Sequence, residues 1–315
     1  MKLILRLLLL FIFSTKLFSQ TGVTSKIIYL DSIFIESTEE NCRYIRIIED
    51  YYSKRKPYVY KDYYKSEAIK SIGTSLNKDY IEPEGQFITY YENGNKKSIT
   101  TFANNKEVGK AFNWYENGNA KSEIEYLENK KGKAEYKINN YWSAEKEQIV
   151  KDGNGEYIVI EKHYEERGKI KDGFEEGEFK GKDLKNKYTF IENYKKGKLI
   201  SGITTDSLNI KHYYTQVERP PGPKIGIHSF HTYIERTMDI PPQVRNKVFG
   251  KIYLTFTVDE EGNLIEPKVV KGLGYGLDES VIKAIKGVKK WNPAIIRGIP
   301  VPVLYSLPIT IAKKG

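Results

Sequence analysis

The 315-residue chain holds one cysteine and four histidines. A lone cysteine excludes an intrachain disulfide framework and any zinc site built on several thiolates. Cys42 has no neighbouring histidine and reads as a small buried hydrophobe. His163 and His212 stand alone among lysines. His228 and His231 can share a helix face but have no third ligand nearby. The Gly-x-Ser-x-Gly nucleophile motif is missing. Residues 272–276 (GLGYG) lack both the Gly-x-Gly-x-x-Gly register and a following Lys-Ser/Thr, so they read as a strand-to-helix turn. Aspartate and glutamate are plentiful but interspersed with lysine, which is the pattern of a solvated face and not of an acid–base pair. The expectation is a protein with no enzymatic activity, cofactor or metal. Past residue 20 there is also no apolar run long enough to span a membrane.

What the chain does have is aromatic area and positive charge. Its 25 Tyr and 13 Phe supply apolar surface for real cores, and its length suits two or three domains. The net charge is +10, distributed as +3 over residues 1–20, +2 over 21–229 and +5 over 230–315. The long middle is therefore a mixed-charge surface, without the clustered basic stripe that nucleic-acid binding requires.

Residues 1–6 are short and basic, 7–13 (LLLLFIF) are uninterrupted apolar, and 14–20 are more polar, with Ser19 before a plausible cut. This is the layout of a secretory signal peptide. No cysteine follows closely enough for a lipid anchor. The mature protein is expected to work in an envelope compartment; the alternative is an inner-membrane anchor through an uncleaved leader.

The middle repeats. Residues 90–98 read YYENGNKKS and 114–122 read WYENGNAKS, 24 residues apart. Gly85 and Gly109 keep the spacing, with Gly132 one residue short. Residues 63–71 (YYKSEAIKS) hold the same frame, with Glu67 where Gly94 would stand. Residues 140–149, 177–179 and 194–202 look like decayed copies. Each unit predicts an aromatic strand, an Asn-Gly turn of type I′ and a second strand. Such a hairpin cannot bury its aromatic face alone, so neighbours must stack, with Tyr91, Trp114 and Tyr115 as core. The array, about residues 63–202, resembles the bacterial variant of the MORN repeat, and residues 26–60 resemble its leading strands. The resemblance implies a scaffold surface and not a reaction.

After residues 219–223 (RPPGP), which read as a stiff linker, the texture changes. A short amphipathic stretch at 231–237 is interrupted by Ile240-Pro241-Pro242, with one more turn at 243–247. Residues 250–258 alternate, with Ile252, Leu254, Phe256 and Val258 on one face. Residues 259–263 form a turn, 264–271 a strand, 272–276 a loop and 277–289 a helix with Leu277, Val281, Ile285 and Val288 on one stripe. Residues 300–312 predict a final strand. Ile240-Pro241, Arg245, the 250–262 strand and turn, Val269-Val270, Leu277-Asp278, Trp291-Asn-Pro293-Ala294 and Gly298-Ile-Pro300-Val301 together resemble the C-terminal domain of TonB-type energy transducers over about residues 220–313.

In that family the domain grips a TonB-box peptide of outer-membrane receptors by β-augmentation. Pro300, Pro302 and Pro308 support an edge at the last strand. The resemblance implies backbone pairing at Val301, Val303, Leu304, Tyr305, Ser306 and Leu307, beside a candidate groove at Thr237, Met238, Asp239 and Ile240. The sequence thus predicts an α+β protein: a signal peptide at 1–20, a hairpin array at 21–214, a linker at 215–229 and a two-layer domain with a three-stranded antiparallel sheet at 230–315. Its expected role is periplasmic receptor docking linked to transport across the outer membrane. The alternative is an envelope scaffold binding membrane or peptidoglycan without energy transduction. A homodimer through the open edge is a further expectation.

Overall fold

The structure, a computed structural model, describes residues 24–127, 135–244 and 247–311. The leader at 1–20, Gly132, Arg245, Ala312 and Lys313 lie outside them. The chain divides into two compact units, residues 1–157 with 170–174, and residues 158–169 with 175–315. The division falls inside the hairpin array and not at residues 215–229.

The first unit is a meander. Strands β1 (Lys26–Leu30), β2 (Tyr44–Ile48), β3 (Tyr58–Tyr64), β4 (Ile69–Ser75), β5 (Pro83–Tyr90), β6 (Lys96–Ala103), β7 (Lys106–Trp114), β8 (Ala120–Leu127), β9 (Glu135–Trp142) and β10 (Gln148–Lys151) pair antiparallel in chain order. β10 then pairs with the start of β11 (Asn154–Glu161). The buried cluster at its start is Ile48, Tyr58 and Tyr60. Beside it Arg46 grips Asp62 through two bonds of 2.7 and 2.9 Å. Burial raises the Tyr60 phenol to about 12.

The Asn-Gly turns are not type I′. Gly94 N–H donates to Tyr91 O (3.0 Å) and Tyr91 N–H to Asn95 O (2.8 Å). Gly94 has φ 86°, whereas Asn93 stays out of the positive-φ region. The loop is a type I turn closed by a glycine bulge, one residue longer than expected. The same pair of bonds closes the turns at Tyr64, Tyr115 and Ser143. Glu67 (φ 66°) and Lys146 (φ 74°) fill the glycine position in the first and last of these. True type I′ pairs connect the hairpins at the opposite end: Asn104-Asn105, Asp152-Gly153 and Asp172-Gly173 all have positive φ at both residues.

The repeats are stitched at their loops. The hydroxyls of Tyr64, Tyr91 and Tyr115 each donate, at 2.9 Å, to the carbonyls of Tyr90, Trp114 and Trp142 in the following hairpin. The side-chain amides of Asn93 and Asn95 donate to Glu116 O. Those of Asn117 and Asn119 donate to Ala144 O. Tyr91, Trp114 and Tyr115 are therefore half-buried ladder residues and not full core.

The second unit takes most of β12 (Tyr164–Lys171) and β13 (Phe174–Asp183), whose connecting residues 170–174 belong to the first, and then β14 (Tyr188–Lys195), β15 (Lys198–Thr205) and β16 (Lys211–Tyr214). Here aromatic rings lie flat on glycines of the preceding strand: Phe179 over Gly168, Phe190 over Gly181, Tyr214 over Gly202. A Cβ at any of the three would fall within 2.3 Å of the ring. Next come β17 (Glu218–Arg219), α1 (Ile227–Thr237), β18 (Gly250–Val258), β19 (Leu264–Lys271), α2 (Leu277–Lys286), β20 (Ala294–Ile296), β21 (Ile299–Val301) and β22 (Val303–Ile311).

These last elements form the two-layer domain. The sheet order is β19-β18-β22, all antiparallel. Phe230 and Ile234 of α1, and Leu277, Val281, Ala284 and Ile285 of α2, pack on Ile252, Leu254, Phe256 and Val258 of β18 and on Leu307 and Ile309 of β22. Both helices place apolar residues at i and i+4, giving one buried stripe each. Three expectations need correction. α2 stops at Lys286, because Gly287 caps it by donating to Lys283 O and Ala284 O. The linker residues 215–229 are not a free spacer: Glu218 and Arg219 pair with Ile296 and Ile295, Gly222 bridges Asn292, and α1 already begins at Ile227. The final strand is split at Pro302: β21 pairs with β20 in a separate small sheet, and only β22 joins β18.

Candidate functional site: the β22 edge

β22 pairs with β18 in unbroken register over nine residues, from Gly250↔Ile311 to Val258↔Val303. Its other side pairs with no strand among the described residues. The opposite edge, β19, is a different object. Its register against β18 shifts between Thr255 and Thr257, Glu266 there takes φ 52°, Pro267 removes a donor, and α2 packs beside it. A bulge and a proline blunt an edge; a regular strand leaves it ready to pair.

Pro308 fixes which β22 groups point outward. It stands opposite Tyr253 in the ladder, and a proline fits there only if that position's nitrogen faces away from β18. Because direction alternates along a strand, the amides of Leu304, Ser306 and Thr310 share the outward side. Those of Val303, Tyr305, Leu307 and Ile309 bond inward. The side chains alternate too: Leu307 and Ile309 are buried, Val303 and Tyr305 half-buried, Leu304, Ser306 and Pro308 exposed. On the outer sheet face Leu304 lies across Thr257 from Ile265, and Pro308 beside Tyr253. Leu304, Ile265 and Tyr253 are all exposed.

Of the residues singled out from sequence, Val303, Leu304, Tyr305, Ser306 and Leu307 share this edge. Val301 does not: it lies in β21, paired with Ala294. Pro302 interrupts the chain between them. Thr237, Met238, Asp239 and Ile240 end α1 against α2. Met238 is buried in the same core as Leu307, and Asp239 N–H donates to Ser280 Oγ at 2.7 Å. Tyr305 is fixed from below by stacking on Phe256 and by edge contact with Trp291, at 5.5 and 5.1 Å between centroids.

The 272–276 loop is closed by its own helix. Asp278 Oδ1 accepts from Leu273 N–H (3.0 Å) and Oδ2 from Gly274 N–H (3.2 Å). The amides that a phosphate would use are taken. His228 and His231 both lie in α1, and no group of three or more metal-type side chains is found among the described residues.

Sequence reasoning missed a buried polar seam behind the domain. Arg297, in the turn between β20 and β21, reaches the face of the last hairpins. Its Nε donates to Glu192 Oε1 at 2.9 Å, its Nη2 to Tyr164 Oη at 3.1 Å, and its guanidinium lies 3.7 Å from the Phe190 ring centre. Tyr194 and Tyr214 hydroxyls also donate to Glu192. Burial alone would lower the Arg297 pKa, but the Glu192 charge beside it prevails and holds it up. Desolvation raises Tyr164, Tyr194 and Tyr214, and it raises Glu166 despite the nearby Arg297 charge. Glu175 is likewise raised by burial.

The comparisons with known proteins fall on the same domain. The family model described as Gram-negative bacterial TonB protein C-terminal matches residues 243–310, from the turn after α1 through most of β22. No curated protein matches the chain. Residues 243–310 are thus similar to the C-terminal domain of TonB, a family associated with the envelope and with outer-membrane receptors. Among the described residues no helix is long and apolar enough to cross a membrane.

Proposed function

We propose that this is a periplasmic docking protein whose β22 edge takes a TonB-box peptide of an outer-membrane receptor as a fourth strand. The observation that carries the reading is the contrast between the two sheet edges: β22 is regular and open, while β19 is bulged and proline-bearing. The incoming strand uses the outward backbone groups of Leu304 and Ser306 and stops at Pro308, which offers no donor. Its side chains lie along Leu304 and Tyr253. The hairpin array, MORN-like in its repeat, carries the docking domain, and Arg297 ties the domain to the last hairpins.

The test is Ser306→Pro. It deletes one outward donor and leaves the β18 ladder intact. Affinity for peptides from the periplasmic ends of the organism's receptors should fall at least about tenfold, since one backbone bond and its steric fit are lost together. Unchanged affinity in a folded variant would contradict docking at this edge.

One observation favours a second reading, an envelope scaffold. The loops after β13 and β15 carry Leu184, Leu208 and Ile210 at 52%, 76% and 52% exposure, among Lys185, Lys187 and Lys211. Apolar tips among lysines suit an anionic lipid surface. Co-sedimentation with anionic vesicles that is lost in Leu208→Asp would support it.

A further inference from the structure

A second concave site lies away from the β22 edge. It is a cavity of about 310 Å³ between residues 223–225 and the 287–291 turn. Phe230, Tyr233, Val288 and Trp291 give it apolar walls, and Pro223 and Ile225 cover one side. That cover is pinned: Gly222 N–H donates to Asn292 O (3.1 Å), Asn292 N–H returns to Gly222 O (2.8 Å), and Gly226 N–H closes the turn on Pro223 O. The opposite wall is held by Trp291, whose ring meets Phe230 and Phe256 edge-on at 5.0 and 5.3 Å. Its indole N–H is buried without a hydrogen-bond partner. The cavity is therefore built by the fold and not left by loose packing.

The rim has one sign of charge. Lys224, Lys289 and Lys290 line it, and none of the lining residues is acidic. Lys224 on the 223–225 side and Lys289 on the 287–291 side are both exposed, so a cation stands on each side of the mouth. Apolar walls under a cationic mouth select an amphiphile with its charge at one end. A cationic headgroup would be repelled, and a sugar would leave hydroxyls unpaired against Phe230 and Trp291.

We infer that this cavity binds a free medium-chain alkyl carboxylate, chain inward against Phe230, Val288 and Trp291, carboxylate between Lys224 and Lys289. The site uses neither the outward amides of β22 nor the array loops, so it stands or falls independently of receptor docking.

The test titrates the full chain with sodium decanoate below its micellar range, followed by calorimetry and by the Trp291 indole N–H resonance. The expected result is saturable one-to-one binding, with shifts at Trp291, Val288 and Ile225. The exposed double charge reversal Lys224→Glu/Lys289→Glu should raise Kd at least tenfold with an unchanged melting temperature. Decyltrimethylammonium should not compete. As a second variant, Gly287→Ala puts a methyl group 2.9 Å from the Tyr233 hydroxyl at the cavity wall and should also weaken binding. Its backbone, φ −82°, accepts alanine without strain. Non-saturable uptake, equal affinity in the charge-reversed chain, or equal competition by decyltrimethylammonium would overturn the inference.

Discussion

Arg297 and Glu192 stand 105 residues apart in sequence and meet at 2.9 Å, Nε to Oε1, with Glu192 wholly buried. The pair joins the TonB-like domain to the end of the hairpin array, and the Phe190 ring supports the guanidinium. Breaking a buried pair from one side leaves an uncompensated charge. Arg297→Met should therefore cost about 3–5 kcal/mol in chemical denaturation. The double variant Arg297→Met/Glu192→Gln should recover a large part of that loss. Arg297→Lys should be intermediate, because lysine keeps the charge but loses the planar fork.

Burial raises the Glu175 carboxyl. The folded state thus holds its proton at pH values where the unfolded chain has released it. Stability falls as pH rises from the ordinary carboxylate value through the raised one. Glu175→Gln should flatten this slope and stabilise the protein at neutral pH. Denaturation midpoints measured between acid and neutral pH check both. A wild-type midpoint that rises with pH, with no gain in the variant, would contradict the sign.

Glu67 and Lys146 hold left-handed backbone where the equivalent loops use Gly94 and Gly118. Glu67→Gly and Lys146→Gly should each stabilise by about 0.5 kcal/mol, the relief of a strained side chain less the entropy of glycine. Gly94→Ala and Gly118→Ala should each destabilise by about 1 kcal/mol. Thermal melts of the four variants make the comparison.

Gly181 lies under the Phe190 ring, where an added Cβ would fall 2.2 Å from the ring. Gly181→Ala must displace Phe190, and with it the support of Arg297. A loss of about 2–3 kcal/mol is expected, as for overpacked cores. Adding Phe190→Leu should restore some of it, which a double-mutant cycle measures.

Much of the domain was legible because its signals are local. The alternation at 250–258, and the turn at 259–263 that returns the chain over 264–271, marked β18 and β19 with their boundaries, and Asp259 closes the turn between them by accepting from Glu261 and Asn263 amides. Hairpins were legible from YYENGN, but the turn type was not. One extra residue separates a glycine bulge from a type I′ turn, and Asn-Gly suits both. The last strand was read too long because Pro300 and Pro302 suit an edge as well as a break; which one holds depends on β20, a pairing the local pattern does not encode. The stop at Lys286 turned on Gly287, which the apolar stripe through Val288 overrode. Arg297 and Glu192 were invisible, because a buried charge and a surface charge look alike in one sequence.

The most direct test of the central claim is a backbone amide NMR titration of the full chain with TonB-box peptides from the organism's own receptors. The account predicts saturable shifts centred on residues 303–307, with the amides of Leu304 and Ser306 gaining protection from exchange and those of β19 unchanged. Shifts confined to β19 or to the array loops, or none at all, would contradict docking at β22.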